Sequence, residues 1–273
     1  MANGSREMIS YDGEEGKVQA YLARPETGTP RPAVMVIHEI FGLVGHTKDV
    51  ANRFAEQGYV ALAPNLFSRP DPAEVMIPAD IMETMQFTMT LQRDKMSDRA
   101  YMQEAMSKLP TEKMGRIQRV SALVFGGMPK DSLNQDLVRT VNYLNAQSFV
   151  ETGKIASVGF CFGGGMSISL ACHVKLAASV VFYGENPSPI ERIENIACPV
   201  LGLYGAEDVR INMHLDQLVK AMVQYKKDFE MRIYTGAAHA FFNDTRKEVY
   251  REGAASDAWD RVLRFYRRTL SSS

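Results

Sequence analysis

The chain has 273 residues, 45% of them apolar, so it can bury a sizeable core. Lys and Arg number 31 against 32 Asp and Glu, and a formal charge of −1 leaves no basic footprint for nucleic acid. There is no apolar run of the roughly 18 residues a membrane helix needs. The opening Met-Ala-Asn-Gly-Ser-Arg lacks an apolar signal region, and the three cysteines fit a reducing, cytoplasmic setting better than a disulfide scaffold.

Taken in chain order, Glu7–Ser10 and Val18–Ala23 flank Asp12-Gly13 as a β-hairpin. Ala33–Ile37 is a continuous apolar run, the pattern of a strand covered on both faces of a parallel sheet. A helix over Thr47–Gln57 ends at Gly58, a glycine suited to the C-terminal cap. Tyr59–Ala63 is the next strand, closed by Pro64. From Asp71 to Lys130 no strand is expected. Met82, Met85, Met89 and Met96 follow helical spacing, as do Met102, Met106 and Leu109, with Pro72, Pro78, Pro110 and Gly126-Gly127 as breaks. Two or three helices are expected there. Methionine occurs 16 times, nine of them from Met76 to Met128, so these residues either pack the insertion onto the body or form an adaptable apolar cover. Helices over Leu133–Asn145, Gly164–His173, Met213–Tyr225 and Ala254–Leu270 alternate with strands at Ile155–Gly159, Ala178–Tyr183, Val200–Tyr204 and Met231–Tyr234. That alternation predicts one α/β domain over 1–273, mainly parallel, with a helical insertion at about 71–130.

The most informative stretch is Gly159-Phe160-Cys161-Phe162-Gly163, where an apolar strand runs into a helix-compatible segment. It is the cysteine form of a nucleophile elbow. Glycines two residues before and after let strand and helix pack closely, and the helix N-terminus favours negative charge on the sulfur. Cys172 and Cys198 lack this context and are expected in the core. A cysteine nucleophile needs a base, and the base an orienting group. Of the histidines after Cys161, His173 sits near a helix end and His214 starts a helix, whereas His239 lies in a loop directly after a strand. The preceding strand ends in Glu207 and Asp208, either of which can serve as the acid. The loop His38-Glu39-Ile40-Phe41-Gly42 after the first parallel strand would supply the Ile40 N–H to an oxyanion hole, with the Phe162 N–H as the other donor. Glu39 would then sit near the thiol.

The chain resembles the dienelactone hydrolase (carboxymethylenebutenolidase) family. The likeness is carried by His38–Gly42, Ala61-Leu-Ala-Pro-Asn-Leu66, Gly159-Phe-Cys-Phe-Gly-Gly164, Gly205-Ala-Glu-Asp208 and Ala238-His-Ala-Phe241, in the family's order. It implies an α/β-hydrolase fold, a Cys161–His239–Asp208 triad, and a Glu39 that interacts with the resting thiol and releases it as thiolate when substrate binds. It also implies arginines that clamp a substrate carboxylate, one of them four residues after the histidine, where this chain has Asn243. Phe41, Arg69 and Asn243 are the candidate substrate contacts, Arg69 as a substitute clamp. The expected activity is hydrolysis of a lactone or activated ester through a thioester. A general esterase or thioesterase, or a non-catalytic binding protein of the same fold, are the other readings. No cofactor and no metal are expected, and the small-molecule enzyme would be a monomer or small homo-oligomer.

Overall fold

The computed structural model describes residues 4–92, 95 and 98–270, so the expectation for Met96 lies outside the described residues. Among the described residues eight strands form a single sheet: β1 (Gly4–Asp12), β2 (Lys17–Pro25), β3 (Arg31–Ile37), β4 (Val60–Pro64), β5 (Val150–Phe160), β6 (Ala178–Phe182), β7 (Val200–Gly205) and β8 (Phe229–Tyr234). Their order is β1-β2-β4-β3-β5-β6-β7-β8. The hairpin β1–β2 is antiparallel and joins β4 antiparallel, while β4, β3, β5, β6, β7 and β8 are parallel. This is the mainly parallel α/β sheet that the alternation predicts.

Among the described residues the α-helices are α1 (Gly45–Glu56), α2 (Pro70–Val75), α3 (Pro78–Thr90), α4 (Arg99–Ser107), α5 (Thr111–Gly126), α6 (Lys130–Asn145), α7 (Phe162–Ala171), α8 (Val209–Asn212), α9 (Leu215–Gln224) and, after the last strand, α10 (Glu252–Leu270). Strand period two divides the core. Ala33, Met35 and Ile37 of β3 face Leu137 and Val141 of α6, Ile168 of α7 and Leu218 of α9, while Val34 and Val36 join Val50 and Phe54 of α1 and Val262 and Tyr266 of α10. Both sheet faces are covered, which is why the β3 sequence is apolar without alternation.

Several boundaries differ from expectation for local reasons. The first hairpin strands are longer, because Gly13–Gly16 forms the turn with Gly16 at φ +107° and nine residue pairs register on either side. The helix expected over Met213–Tyr225 is α9, which begins two residues later after its N-cap His214, and the short α8 precedes it outside the expected range. Among its described residues the insertion holds four helices rather than two or three. Prolines account for the extra division: Pro70 opens α2, Pro78 occupies the first turn of α3, and Pro110 caps α5. Buried contacts there come from Met76, Ile81, Thr84, Ile117 and Val120, while Met82 and Met89 stay 44% and 67% exposed. Met85 and Met128 are partly buried against the same core, so the methionines divide between packing and exposure. Among the described residues, no helix is long and apolar enough to cross a membrane.

Candidate active site

The chain leaves β3 in one direction through α1 to β4, and reaches β5 on the other side of β3. Ligand crevices in open α/β sheets form at such a reversal, beyond the carboxyl ends of the strands. Cys161, His239 and Asp208 lie at the ends of these strands, as does the loop of Glu39 after β3.

Cys161 follows β5 and caps α7 with φ 55° and ψ −116°, a conformation that L residues with a side chain rarely adopt. The flanking glycines explain how the turn fits. A Cβ on Gly159 would lie 1.8 Å from the Gly163 carbonyl oxygen, and one on Gly163 would meet the Ile37 oxygen at 2.3 Å. The Cys161 N–H donates to the Phe182 carbonyl at 3.0 Å, so β6 holds the turn from one side. Beneath it, Ser157, Ser167 and Ser179 share hydroxyl bonds of 2.8–3.3 Å, tying β5, α7 and β6 together.

His239 Nδ1 and Asp208 Oδ2 are 2.5 Å apart. The other carboxylate that the sequence left open, Glu207, is exposed, whereas Asp208 is 5% exposed. Burial opposes charge on His239, but the charge of Cys161 and hydrogen bonds from Asp208 and Cys161 outweigh it and hold the imidazole pKa up to about 10. Ala240 follows at φ 63°, so the loop carrying the histidine is itself held in an unusual conformation. His173 bonds the Ser169 carbonyl at the end of α7, and exposed His214 caps α9; neither joins this group. Cys172 and Cys198 are buried, and burial pushes both thiols up to about 12.

Glu39 is buried at the start of the loop after β3. Its Oε2 accepts a 2.7 Å hydrogen bond from the Asn243 amide, and the Tyr183 hydroxyl reaches Oε1 at a long 3.5 Å. Among the described residues the Cys161 thiol is not one of its hydrogen-bond partners. The Asn243 oxygen is occupied too, taking the Thr245 N–H at 3.1 Å and its hydroxyl at 2.6 Å. Asn243 thus holds the glutamate, and its polar atoms are all engaged within the protein. Arg69 is 4% exposed and lies 3.0 Å from Glu15 and 3.4 Å from Asp136, carboxylates of the hairpin turn and of α6. Phe41 is buried with its ring 5.9 Å from the Arg246 guanidinium.

Two residues of this site were missed in the sequence. Tyr183 ends β6 at φ 40°, fully buried, with its ring 5.1 Å from that of His239. Its phenol stays far above its ordinary pKa, first through burial and then through the charges of Glu39 and Cys161. The signal was its place at the end of the strand beside the elbow. Arg246 is the other, a cation whose charge reaches Tyr183 while its Nε bonds Glu248 at 3.0 Å. No spacing rule pointed to it. Among the described residues no group of three His, Cys, Asp or Glu side chains is arranged to hold a metal ion.

The sheet order, the sharp turn after β5 and the histidine loop after β8 define an α/β hydrolase. The chain belongs to the dienelactone hydrolase family, whose model matches residues 18–270. A Saccharolobus solfataricus protein provisionally named a carboxymethylenebutenolidase is 41% identical over 262 residues, 95% of this chain and 97% of that one. A Klebsiella pneumoniae structure, described provisionally as a dienelactone hydrolase, superposes with a TM-score of 0.72 at 27% identity, covering 97% of this chain and 98% of that one. The dienelactone hydrolase of Anabaena variabilis shares the fold, with a TM-score of 0.65 at 16% identity over 98% and 99% of the two chains.

Proposed function

We propose that this hydrolase cleaves a lactone or activated carboxylic ester through a Cys161–His239–Asp208 triad. The observation that carries the reading is Cys161 at φ 55° on the N-terminus of α7, coupled to a histidine bonded to buried Asp208. In the proposed cycle the Cys161 thiolate attacks the carbonyl carbon, and the N–H groups of Phe162 and Ile40 stabilise the oxyanion. The C–O bond to the leaving group breaks, the leaving oxygen takes a proton from His239, directly or after departing as a stabilised enolate, and a thioester remains beside a neutral imidazole. His239, oriented by Asp208, then removes a proton from water. Hydroxide adds to the thioester, and the acid leaves as the thiolate is restored. Because a thiolate also leaves easily, strained or conjugated esters suit this site better than amides. To Glu39, held by Asn243 and Tyr183, we assign the proton exchange with the resting thiol that the family resemblance implies. Arg246 lies 5.9 Å from the Phe41 ring and its charge reaches Tyr183, so a carboxylate on the substrate is the group we assign to it.

Replacing Cys161 by Ala should abolish turnover of p-nitrophenyl acetate while the fold, read by circular dichroism, is retained. Undiminished turnover would remove the nucleophile. Arg246→Ala should raise KM for a carboxylated lactone and leave that for the neutral acetate near its original value; equal effects on both would reject the clamp.

A further inference from the structure

We propose that His38 is a positioning residue that aims the Ile40 N–H into the oxyanion hole, a role that rests on the reading of Cys161 as nucleophile. His38 directly follows β3 and is 0% exposed. Its Nε2 receives the Leu66 N–H at 3.1 Å, so that nitrogen carries a lone pair. The ring proton must then sit on Nδ1, which donates to the Glu39 carbonyl at 2.5 Å. Only the neutral Nδ1–H tautomer satisfies both bonds. An imidazolium would set a second N–H against that of Leu66. Burial favours the same state, holding the pKa down to about 4.

The consequence lies in the next peptide unit. In a trans peptide the C=O and the following N–H point in opposite directions. Fixing the Glu39 carbonyl toward His38 therefore turns the Ile40 N–H away from it. The Gly42 N–H takes the same carbonyl at 3.2 Å and holds it from the other side of the loop. Among the described residues the Ile40 N–H donates to no protein acceptor, as a group reserved for a developing oxyanion should.

The imidazole also joins the segments that must stay in register. It packs 4.8 Å from Phe67, after β4, and 6.2 Å from Phe162, which carries the other N–H donor. A Cβ on Gly163 would lie 2.5 Å from the His38 carbonyl, so the loop already rests on the first turn of α7. Both donors are thereby referred to one buried ring.

The test uses His38→Phe, which keeps a ring without hydrogen bonds, and His38→Gln, which can donate and accept. Steady-state kinetics on p-nitrophenyl acetate should show kcat down about 10²-fold in His38→Phe, the usual cost of one oxyanion donor. KM should change little. Alkylation of Cys161 by iodoacetamide forms no oxyanion, so its rate should hold. His38→Gln should recover part of kcat. An unchanged kcat in His38→Phe would overturn the proposal, as would alkylation falling in parallel with kcat. If that variant fails to fold, the ¹⁵N spectrum of the native His38 ring decides: protonated Nδ1 is expected, and protonated Nε2 overturns the assignment. Cys161→Ala run alongside separates the two claims. Surviving turnover there removes the nucleophile, whereas its loss beside an active His38→Phe removes only the role of His38.

Discussion

Asp208 and Glu39 are both buried carboxylates near the cysteine turn, yet their surroundings differ. Asp208 meets an imidazole that is held charged, so each stabilises the other's ionised form. Glu39 meets a neutral amide and a phenol that stays protonated, so its negative charge is hydrogen-bonded but not cancelled. The charge on His239 has its own signature in pH. Its pKa is raised from 6.5 to about 10, so the stabilisation it gives the folded state is complete below 6.5 and lost as pH climbs through about 10. Burial alone would push the imidazole down; the largest opposing influence is the charge of Cys161. In Cys161→Ala the His239 midpoint, followed by its ring-proton NMR shift, should therefore fall by a unit or more toward the ordinary value. A midpoint unmoved from that of the native protein would show that Asp208 alone sustains the charge.

At the scale of elements, the elbow works because two glycines bring β5 and β3 against α7. Gly163 is the contact to examine: its missing Cβ would stand 2.3 Å from the Ile37 oxygen, and both atoms belong to backbone that cannot swing aside. Gly165, two residues along the same helix, has its nearest neighbour at 3.4 Å, ordinary contact. Gly163→Ala should cost about 3 kcal/mol or more of stability, as overpacking in a rigid core does. Gly165→Ala should stay near the native value or gain slightly through helix propensity. Urea unfolding of the pair measures the difference, and equal midpoints would mean that the helix shifts freely. The same elements explain what could be read beforehand. The elbow, the strand ends and the histidine loop were legible in the sequence because their glycines and apolar runs act on neighbours close along the chain. Tyr183 and Arg246 were not, because one comes from the adjacent strand and the other from the loop after the histidine. Nor did the sequence show that Asn243 would be occupied by Glu39, a partner 204 positions away. Arg69 presents the same difficulty: its charge was legible, but not the two carboxylates that surround it.

Across the whole molecule, burial divides the chain unevenly. Strands β3, β4, β6, β7 and the Ile155–Phe160 part of β5 are almost entirely buried, and α1, α6, α7 and α10 each contribute several buried side chains. Between β4 and α6 the burial thins. Helix α3 keeps Ile81 and Thr84 inside, and α5 keeps Ile117 and Val120. The pair is further linked by Arg116, which bonds Glu83 at 3.0 Å and lies 3.4 Å from Asp80. Helix α4 has no buried residue, and its N-cap bonds from Asp98 are exposed. At nine residues it is too short to be stable by propensity alone, so tertiary contacts must hold it. The fold therefore predicts a gradient of local stability. In hydrogen exchange followed by mass spectrometry, amides of α4 should exchange first, those of α3 and α5 later, and those of β5 only on global unfolding. A bound substrate analogue supplies a second comparison. If the insertion covers the site, protection should rise in α3, α4 or α5 when the analogue binds; if the site is open on that side, protection should rise only around Glu39, Cys161 and His239. Exchange of α4 as slow as that of β5 would contradict the gradient and require contacts that its exposed surface does not provide.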